Sequence, residues 1–567
     1  MKMLSKVSMV IIGILVVIAV LFAGCTQAEP TTTTATKTTT ATQTTTATQT
    51  TTATQTTTAT QTTTATATST VADRTLRVGI ADLAGPGTFN QAMMTVYEAG
   101  RLGVCVMDQS LNMGPDGNAV PNIIERYEMS ADAITWTFYV RKGVKFHDGT
   151  DLTAQDIKAT IERLQGPDST MYNARVLRTL IDSMELTGSH TLVIKLTASN
   201  PEFWTYFTED KAGSGILVEP SKFIKENGIE AFLEKPFGSG PWKYVKHTEG
   251  FSWEFERNED YWGQKSDFNY LRVVLIPEEA TRIALLKTGE LDITEITADR
   301  IGEIEQAGLD IYSRRGTKGF SYWLWGHWDE SEPFSDIRVR KAMSLAINRE
   351  EMADVFFDGR AEPVAVWTVF PSTFFYDPDV LVPPPYDPVE AKRLLAEAGY
   401  PSGFDTTMLL YTRAGLDIPM LGQAIGNYWE QIGINVTYEA TDYTVIRPWM
   451  TDKPDHPDIK GKVNYFTVSA PFQTFAMDLS FYSKAYFPVM HFDDVDAAIE
   501  KARDETDPEL RKQYCLEAAK LAGDKYVING VLYTEALFAA GPAIGSVEPE
   551  KTGTRYLGPY LTIYAAK

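Results

Sequence analysis

The chain has 567 residues, with 74 acidic and 52 basic side chains and a formal net charge of −22. That balance argues against nucleic acid or anionic lipid as a partner, since both repel an acidic surface. Three cysteines exclude a disulfide framework, and the length is too great for one hydrophobic core.

The first 25 residues read as an export signal. Lys2 and Lys6 form a basic start, and residues 7–23 are almost wholly apolar. Leu21 to Cys25 looks like a bacterial-type lipobox, with small residues directly before Cys25, the expected lipidation site. An uncleaved anchor helix is the alternative, since the apolar run is at the lower limit for spanning a bilayer. Either way, the rest of the chain is expected outside the cytoplasm, tethered to a membrane. Residues 26–72 repeat a Thr-rich hexad with Gln43, Gln49, Gln55 and Gln61 in register. Such a composition forms no core and is expected to act as a disordered leash, with ends roughly 35–40 Å apart. Outside the cell it is either an O-glycosylated stalk or an unmodified linker.

The body is expected to start at Arg74, with a first strand over Thr75 to Ala81. Its two cysteines, Cys105 and Cys515, read as buried apolar residues. Residues 134–164, ITWTFYVRKGVKFHDGTDLTAQDIKATIERL, form a complete local unit. Trp136, Phe138 and Val140 alternate with Thr135, Thr137 and Tyr139, which predicts a strand with one aromatic face. Lys142-Gly143 makes a turn, Val144 to Phe146 a short return strand, and Asp148-Gly149 a second turn. Thr153 and Asp156 form an N-cap pattern before Ile157, Ile161 and Leu164 at helical spacing.

Further strands are predicted at Met184–Thr187, Thr191–Leu196, Trp242–Lys246 and Trp253–Arg257. Helices are predicted at Glu278–Lys287, Ile337–Ile347, Val389–Ala398, Met420–Ile432, Val495–Ala502 and Pro508–Leu521. Strands Thr407–Tyr411 and Ile434–Ala440 bracket the Met420–Ile432 helix as a βαβ unit. The class is α/β in two large lobes.

The 134–164 segment closely resembles the signature of extracytoplasmic solute-binding proteins of ABC transporters, in the oligopeptide/dipeptide-binding family (solute-binding protein family 5). The family pattern is an aromatic strand, R-K-G-V-x-F-H-D-G, then a T-A-x-D helix start, and Arg141 to Gly149 and Thr153 to Asp156 match it. Gly238 to Trp242, then Arg257-Asn258 and Tyr261 to Gly263, resemble the family's GTGPY…RNxxYWG hairpin. Asp336 to Ala342 with Ala346 to Arg349 resembles its DxRVRxAL…AIDR helix, with Asn348 for the usual Asp. Tyr386 to Pro388, leading to Ala398 to Tyr400, resembles its YDPxxAxxLLxEAG helix.

The resemblance implies a two-lobed periplasmic-binding-protein (Venus flytrap) fold with an extra domain, three domains in all. Domain I would be 74–96, 238–315 and 535–567; domain II 97–237; domain III 316–534. It implies a lipid-anchored, extracytoplasmic binding component of an ABC importer, monomeric, capturing peptides by lobe closure. Its partners would be the ligand and permease subunits with cytoplasmic ATPases, with no nucleic acid. An oligosaccharide ligand is the alternative, and a sensor without transport has the same sequence features.

Catalytic motifs are absent: no Walker A loop, GxSxG elbow, HExxH or CxxC occurs. A secreted hydrolase is therefore only a distant alternative, and no cofactor is expected. His147 beside Asp148 belongs to the FHDG turn, and the six histidines lack ligand spacing, so no metal site is expected, although some relatives carry nickel complexes. Tyr322, Trp323, Trp325 and Trp328 are the candidate ligand contacts. Alternation puts Trp323 and Trp325 on one face and Tyr322 on the other, and in relatives this segment borders the cleft. Domain core is the competing reading. Arg413 resembles the dipeptide-type arginine that holds a ligand carboxylate, and an exposed surface arginine is the competing reading. Peptide-binding relatives carry an acidic G-D-x-x-D-P-D segment. The corresponding stretch, Val468 to Asp478, lacks it, which favours a ligand held by aromatic contact.

Overall fold

The structure is a computed structural model that describes residues 74–83, 85, 87–95, 98–114, 118–208, 215–367, 369–371, 373–411, 418–452, 456–468, 477–548 and 560–567. The export signal, Cys25, the Thr-rich segment, the expected boundary at 96/97 and Arg413 lie outside the described residues. Fifteen strands carry the architecture. They are β1 (Thr75–Ile80), β2 (Ile124–Met129), β3 (Thr135–Val140), β4 (Ile181–Gly188), β5 (Thr191–Leu196), β6 (Trp242–Thr248), β7 (Ser252–Arg257), β8 (Tyr270–Leu275), β9 (Ile293–Ile296), β10 (Asp310–Leu324), β11 (Ala361–Pro363), β12 (Asp405–Tyr411), β13 (Asn435–Thr441), β14 (Lys462–Val468) and β15 (Ile528–Ala540).

Among the described residues, eleven of these strands join into one mixed sheet. Its order is β13-β12-β14-β10-β15-β9-β1-β8-β7-β6, with β11 also on β15. β12 and β13 pair in parallel around the Ile418–Glu430 helix, the βαβ unit that the apolar pattern predicts. β10 and β15 are the long strands, at 15 and 13 residues. Asp310 to Arg314 pairs with β15 where β15 also carries β9, whereas Gly319 to Leu324 lies between β14 and β15. The register shifts between Arg314 and Lys318. The expected domain boundaries at 315/316 and 534/535 fall inside these two strands.

Three large hydrophobic cores divide the apolar residues. The first contains Tyr322, Trp323, Trp325, Trp367, Trp429 and Tyr465 and packs on β10, β12, β14 and β15. The second contains Leu76, Trp242, Trp253, Phe255, Val273 and Phe538 on the other half of the sheet. The third lies on a separate antiparallel sheet, β2-β3-β5-β4. Two lobes and an additional domain in an α/β arrangement result. Cys105 and Cys515 are both buried thiols outside any disulfide.

The third core shows how local sequence sets the fold. Trp136, Phe138 and Val140 are buried and the residues between them half-exposed. Trp136 and Phe138 stack at 6.0 Å, and Phe138 meets Phe207 at 4.5 Å. The Ala154–Leu164 helix begins in a capping box, where the Asp156 carboxylate accepts the Thr153 amide at 2.8 Å. Its other oxygen accepts the Ser221 hydroxyl at 2.6 Å. The expected return strand Val144–Phe146 does not form. Turns on both sides leave no length for a ladder, and a single bridge, Lys145 to Asp151, remains.

The other resembling motifs are structural as well. Arg349 is buried and donates to the carbonyls of Gly530 at 3.1 Å and Ser344 at 3.0 Å, which ties its helix to β15. Arg340 donates to the carbonyls of Lys525, Phe334 and Ser335 at 2.7–2.9 Å, and burial pulls its pKa down to about 10. His147 holds the extra domain against the segment before β6. Its Nε2 meets the Gly240 carbonyl at 2.8 Å, and burial lowers its pKa to about 4. Gly238 and Gly240 pack directly on the backbone of Cys105 to Met107, where a Cβ would overlap main-chain atoms.

Candidate functional site

A cavity of about 720 Å³ lies between the extra domain and the lobe of the first core. That is the size of a small-molecule site, typically about 300–1,000 Å³. One wall comes from Ser169 to Met171, Arg178, Thr179, Ser199 to Glu202 and Tyr206. The other comes from Arg447 and Thr451 on the Tyr443–Asp452 helix, the turn Tyr482 to Tyr486, Arg503 on the Asp493–Asp504 helix and Arg511 on the Pro508–Gly523 helix.

Charge is the distinctive feature. Five cationic side chains line the cavity, Arg178, Arg447, Lys484, Arg503 and Arg511, with one carboxylate, Glu202. Glu202 and Arg511 form an ion pair across the domain boundary, with both side chains largely buried. The Arg511 guanidinium also lies 5.5 Å from the Phe374 ring. Arg178 is fixed by backbone carbonyls, donating to Gln165 at 2.7 Å and to Ser169 at 3.2 Å. Arg447 donates to the Tyr486 hydroxyl through Nε at 3.1 Å and a terminal nitrogen at 2.6 Å. Arg503 and Lys484 lie 4.3 and 5.5 Å from the Tyr482 ring, within cation–π range. Tyr482 donates to Glu500 at 2.6 Å, and that bond with partial burial raises its pKa. The arrangement offers flat aromatic faces and several fixed positive charges. Among the described residues it offers no paired acid and base and no activated nucleophile.

The candidate aromatic residues lie elsewhere. Tyr322, Trp323 and Trp325 have no exposed surface. Tyr322 meets Trp429 edge-on at 5.0 Å. Trp323 is covered by Phe466 at 4.6 Å, Trp367 at 4.9 Å and Phe487 at 5.7 Å, and its Nε1 donates to the Ser321 hydroxyl at 2.9 Å. Trp325 lies 6.3 Å from Trp323 on the same face, as alternation requires. Trp328 is half-buried, 4.7 Å from His491. In this conformation the three buried rings touch protein rather than the cavity. The cavity's own rings, Tyr206, Tyr482 and Tyr486, are not singled out by the sequence. Two Tyr with Lys484 between them in five positions was the available signal. Nothing in the sequence brings Glu202 to Arg511.

A second polar cluster sits where the extra domain joins the second core. Buried Asp108 accepts the Tyr261 hydroxyl and the Trp262 Nε1, both at 2.9 Å. Burial raises its pKa to about 6, against the lowering effect of these donors and Ser239. Both donors and Ser239 belong to the motif segments around the β6–β7 hairpin.

The chain thus combines a two-lobed α/β body, an extra domain and a cavity of ligand size. The model of "Bacterial extracellular solute-binding proteins, family 5 Middle" matches residues 118–485, and the chain belongs to that family. The family is one of substrate-binding transport proteins, not enzymes. The chain is 27% identical over 356 residues to heme-binding protein A of Haemophilus influenzae, covering 57% of this chain and 62% of that protein. It is 29% identical over 300 residues to a glutathione-binding protein of Pectobacterium atrosepticum, covering 50% and 54%. The alignments thus span little more than half the length of these curated relatives. The fold is similar to that of a Helicobacter pylori periplasmic binding protein in complex with the peptide STSA. The TM-score is 0.71 at 20% identity, covering 87% of this chain and 98% of that one. A Listeria monocytogenes substrate-binding protein superposes with a TM-score of 0.73 at 20% identity, covering 87% and 100%.

Among the described residues, no helix is long and apolar enough to cross a membrane.

Proposed function

We propose that this chain is the lipid-anchored, extracytoplasmic binding component of an ABC importer, holding peptides between its lobes and delivering them to a permease. The observation that carries the reading is the pair of long strands, β10 and β15, that run from one core to the other through a register irregularity. Such a connection lets two rigid bodies rotate while the sheet stays hydrogen-bonded, which suits closure over a ligand. The proposed domain division places the joints in these strands. Proteins similar to this chain bear names for the binding of dipeptides, glutathione and heme, so peptide is the first choice. Arg413 is the proposed contact for a ligand carboxylate, and the Tyr322–Trp328 block is proposed to stiffen one wall from behind rather than to touch the ligand.

The test is solution scattering and thermal melting of the processed chain with a pool of short peptides. A smaller radius of gyration, and a melting temperature rising with the logarithm of ligand concentration, are expected. A peptide that binds tightly and changes neither quantity overturns the closure reading. For the anchor, Cys25→Ser should release processed protein or block processing. A Ser variant that stays membrane-bound with unchanged mobility excludes lipidation at Cys25.

The stretch Val468 to Asp478 lacks the acidic segment of peptide-binding relatives. That observation keeps oligosaccharide as the second reading.

A further inference from the structure

The chain holds a single Asn-x-Ser/Thr triplet, Asn435-Val436-Thr437, with no proline at its middle position. The triplet opens β13, two residues after Gly433, whose φ of 94° turns the chain out of the Ile418–Glu430 helix. β13 is the outermost strand of the mixed sheet, and among the described residues it pairs with β12 alone. The Asn435 amide donates to the Phe404 carbonyl at 2.9 Å, so Asn435, Thr437 and Glu439 turn their backbone groups toward β12. Val436, Tyr438 and Ala440 turn theirs away from it. Side chains alternate between the two faces of the sheet. Asn435, Thr437 and Glu439 are exposed on one face, whereas Val436 and Tyr438 pack half-buried on the first core.

This placement meets the chemical needs of a modified asparagine. The carboxamide and the hydroxyl two residues on are both in solvent and on the same face, because strand alternation has a period of two. Neither side chain supports the core, so a bulky substituent displaces no apolar contact. The Asn435 Nδ2 donates to the exposed Asp405 carboxylate at 2.8 Å. A carboxamide linked to a sugar keeps one N–H, so that bond survives the modification. The outer backbone groups of Val436, Tyr438 and Ala440 form an exposed strand edge, which invites pairing with another chain. A hydrophilic oligosaccharide rooted at the first residue of the strand would cover that edge.

We infer that Asn435 is an N-glycosylation site. The donor is an oligosaccharide on a polyprenyl phosphate or diphosphate. The Asn435 Nδ2 bonds to the anomeric carbon of the first sugar as the bond from that carbon to the phosphate oxygen breaks. The lipid phosphate leaves with the electron pair, the amide nitrogen gives up one proton, and nothing is oxidised or reduced. Access to this donor rests on the extracytoplasmic reading proposed above.

The full chain is purified from the membranes of the organism that makes it, digested with trypsin and read by mass spectrometry. The peptide 414–460, which contains the triplet, should carry a mass increment of hexose and amino-sugar units and release sugar ions on fragmentation. Asn435→Gln and Thr437→Ala, made in the same organism, should each lose the increment, whereas Thr437→Ser should keep it. All three changes lie at exposed side chains, so folding should hold. The unmodified peptide as the sole form overturns the inference, and so does an increment that survives Asn435→Gln. The same digest reports on export through the peptide 25–37, whose lipid mass marks processing at Cys25. A lipidated start with a bare Asn435 removes the acceptor site and leaves the anchor reading. A sugar on Asn435 in a chain that retains residues 1–24 does the reverse.

Discussion

Two aromatic regions of this protein differ in what surrounds the rings. Around Trp323 the neighbours are other rings, Phe466, Trp367 and Phe487, and no surface is left to water. Around Tyr482 and Tyr486 the neighbours include Lys484, Arg503 and Arg447, at the edge of a cavity, although Tyr486 also meets Phe487 at 4.7 Å. Ring density in the sequence is the same in residues 322–328 and 481–487, but accessible chemistry is higher in the second. A ring covered by rings contributes transfer energy and packing. A ring flanked by cations positions charge.

The largest effect should come from the first region. Trp323→Ala removes a fully buried ring and should cost about 3–5 kcal/mol of stability. Chemical denaturation would show it as a lower midpoint with ligand affinity of the folded fraction unchanged. Intact stability with lost binding would instead make Trp323 a ligand contact and erase the contrast.

At the cavity the largest structural effect belongs to Arg511. Arg511→Met removes the ion-pair partner that Arg511 gives to largely buried Glu202 and should cost about 3 kcal/mol. Because the pair crosses between domains, the loss should be accompanied by weaker protection of residues 199–206 in hydrogen exchange. Unchanged exchange there would show that the two domains are held by apolar contacts alone.

A pH effect of similar or slightly smaller size is expected at Asp108. Its pKa is about 6 when folded, above the ordinary carboxylate value. A raised carboxyl pKa means that the protonated form is favoured in the native state. Stability from this group is therefore full at low pH and falls as pH rises from about 4 to about 6, by roughly 2–3 kcal/mol. Asp108→Asn cannot ionise, so the difference between wild type and variant should change across that window and be flat above it. A difference independent of pH would place Asp108 at an ordinary carboxylate pKa. The smallest effect is expected for Lys484→Gln at an exposed side chain, a shift in the denaturation midpoint worth below about 0.5 kcal/mol.

The sequence carried the regular elements further than the site. The Thr191–Leu196 strand, the capping box at Thr153 and the helix from Pro508 follow from local rules, and the structure has them. Those features depend on residues a few positions apart. Alternation likewise separated Trp323 and Trp325 from Tyr322, but it could not say what covers each face, because Trp367, Trp429 and Phe487 come from distant segments. The cavity was illegible for the same reason. Its walls are supplied by residues 169–206 and 447–511, and the ion pair between them spans the two. The Val144–Phe146 strand was wrongly expected because alternation over three residues cannot distinguish a ladder from a buried turn.

The long strands β10 and β15 have one more consequence. They are hydrogen-bonded to each other on both sides of the irregularity at Arg314 to Lys318. A link of this kind behaves as a torsion bar rather than as a loose string. Rotation of one half must be taken up as added or relieved strand twist, distributed over many peptide units, with a restoring torque. If the two halves rotate as proposed, the angle between them has a preferred value and a stiffness set by the twist of these strands. Lengthening that bulge by a single glycine would soften the bar, leaving both cores intact while broadening the range of angles that the two halves explore.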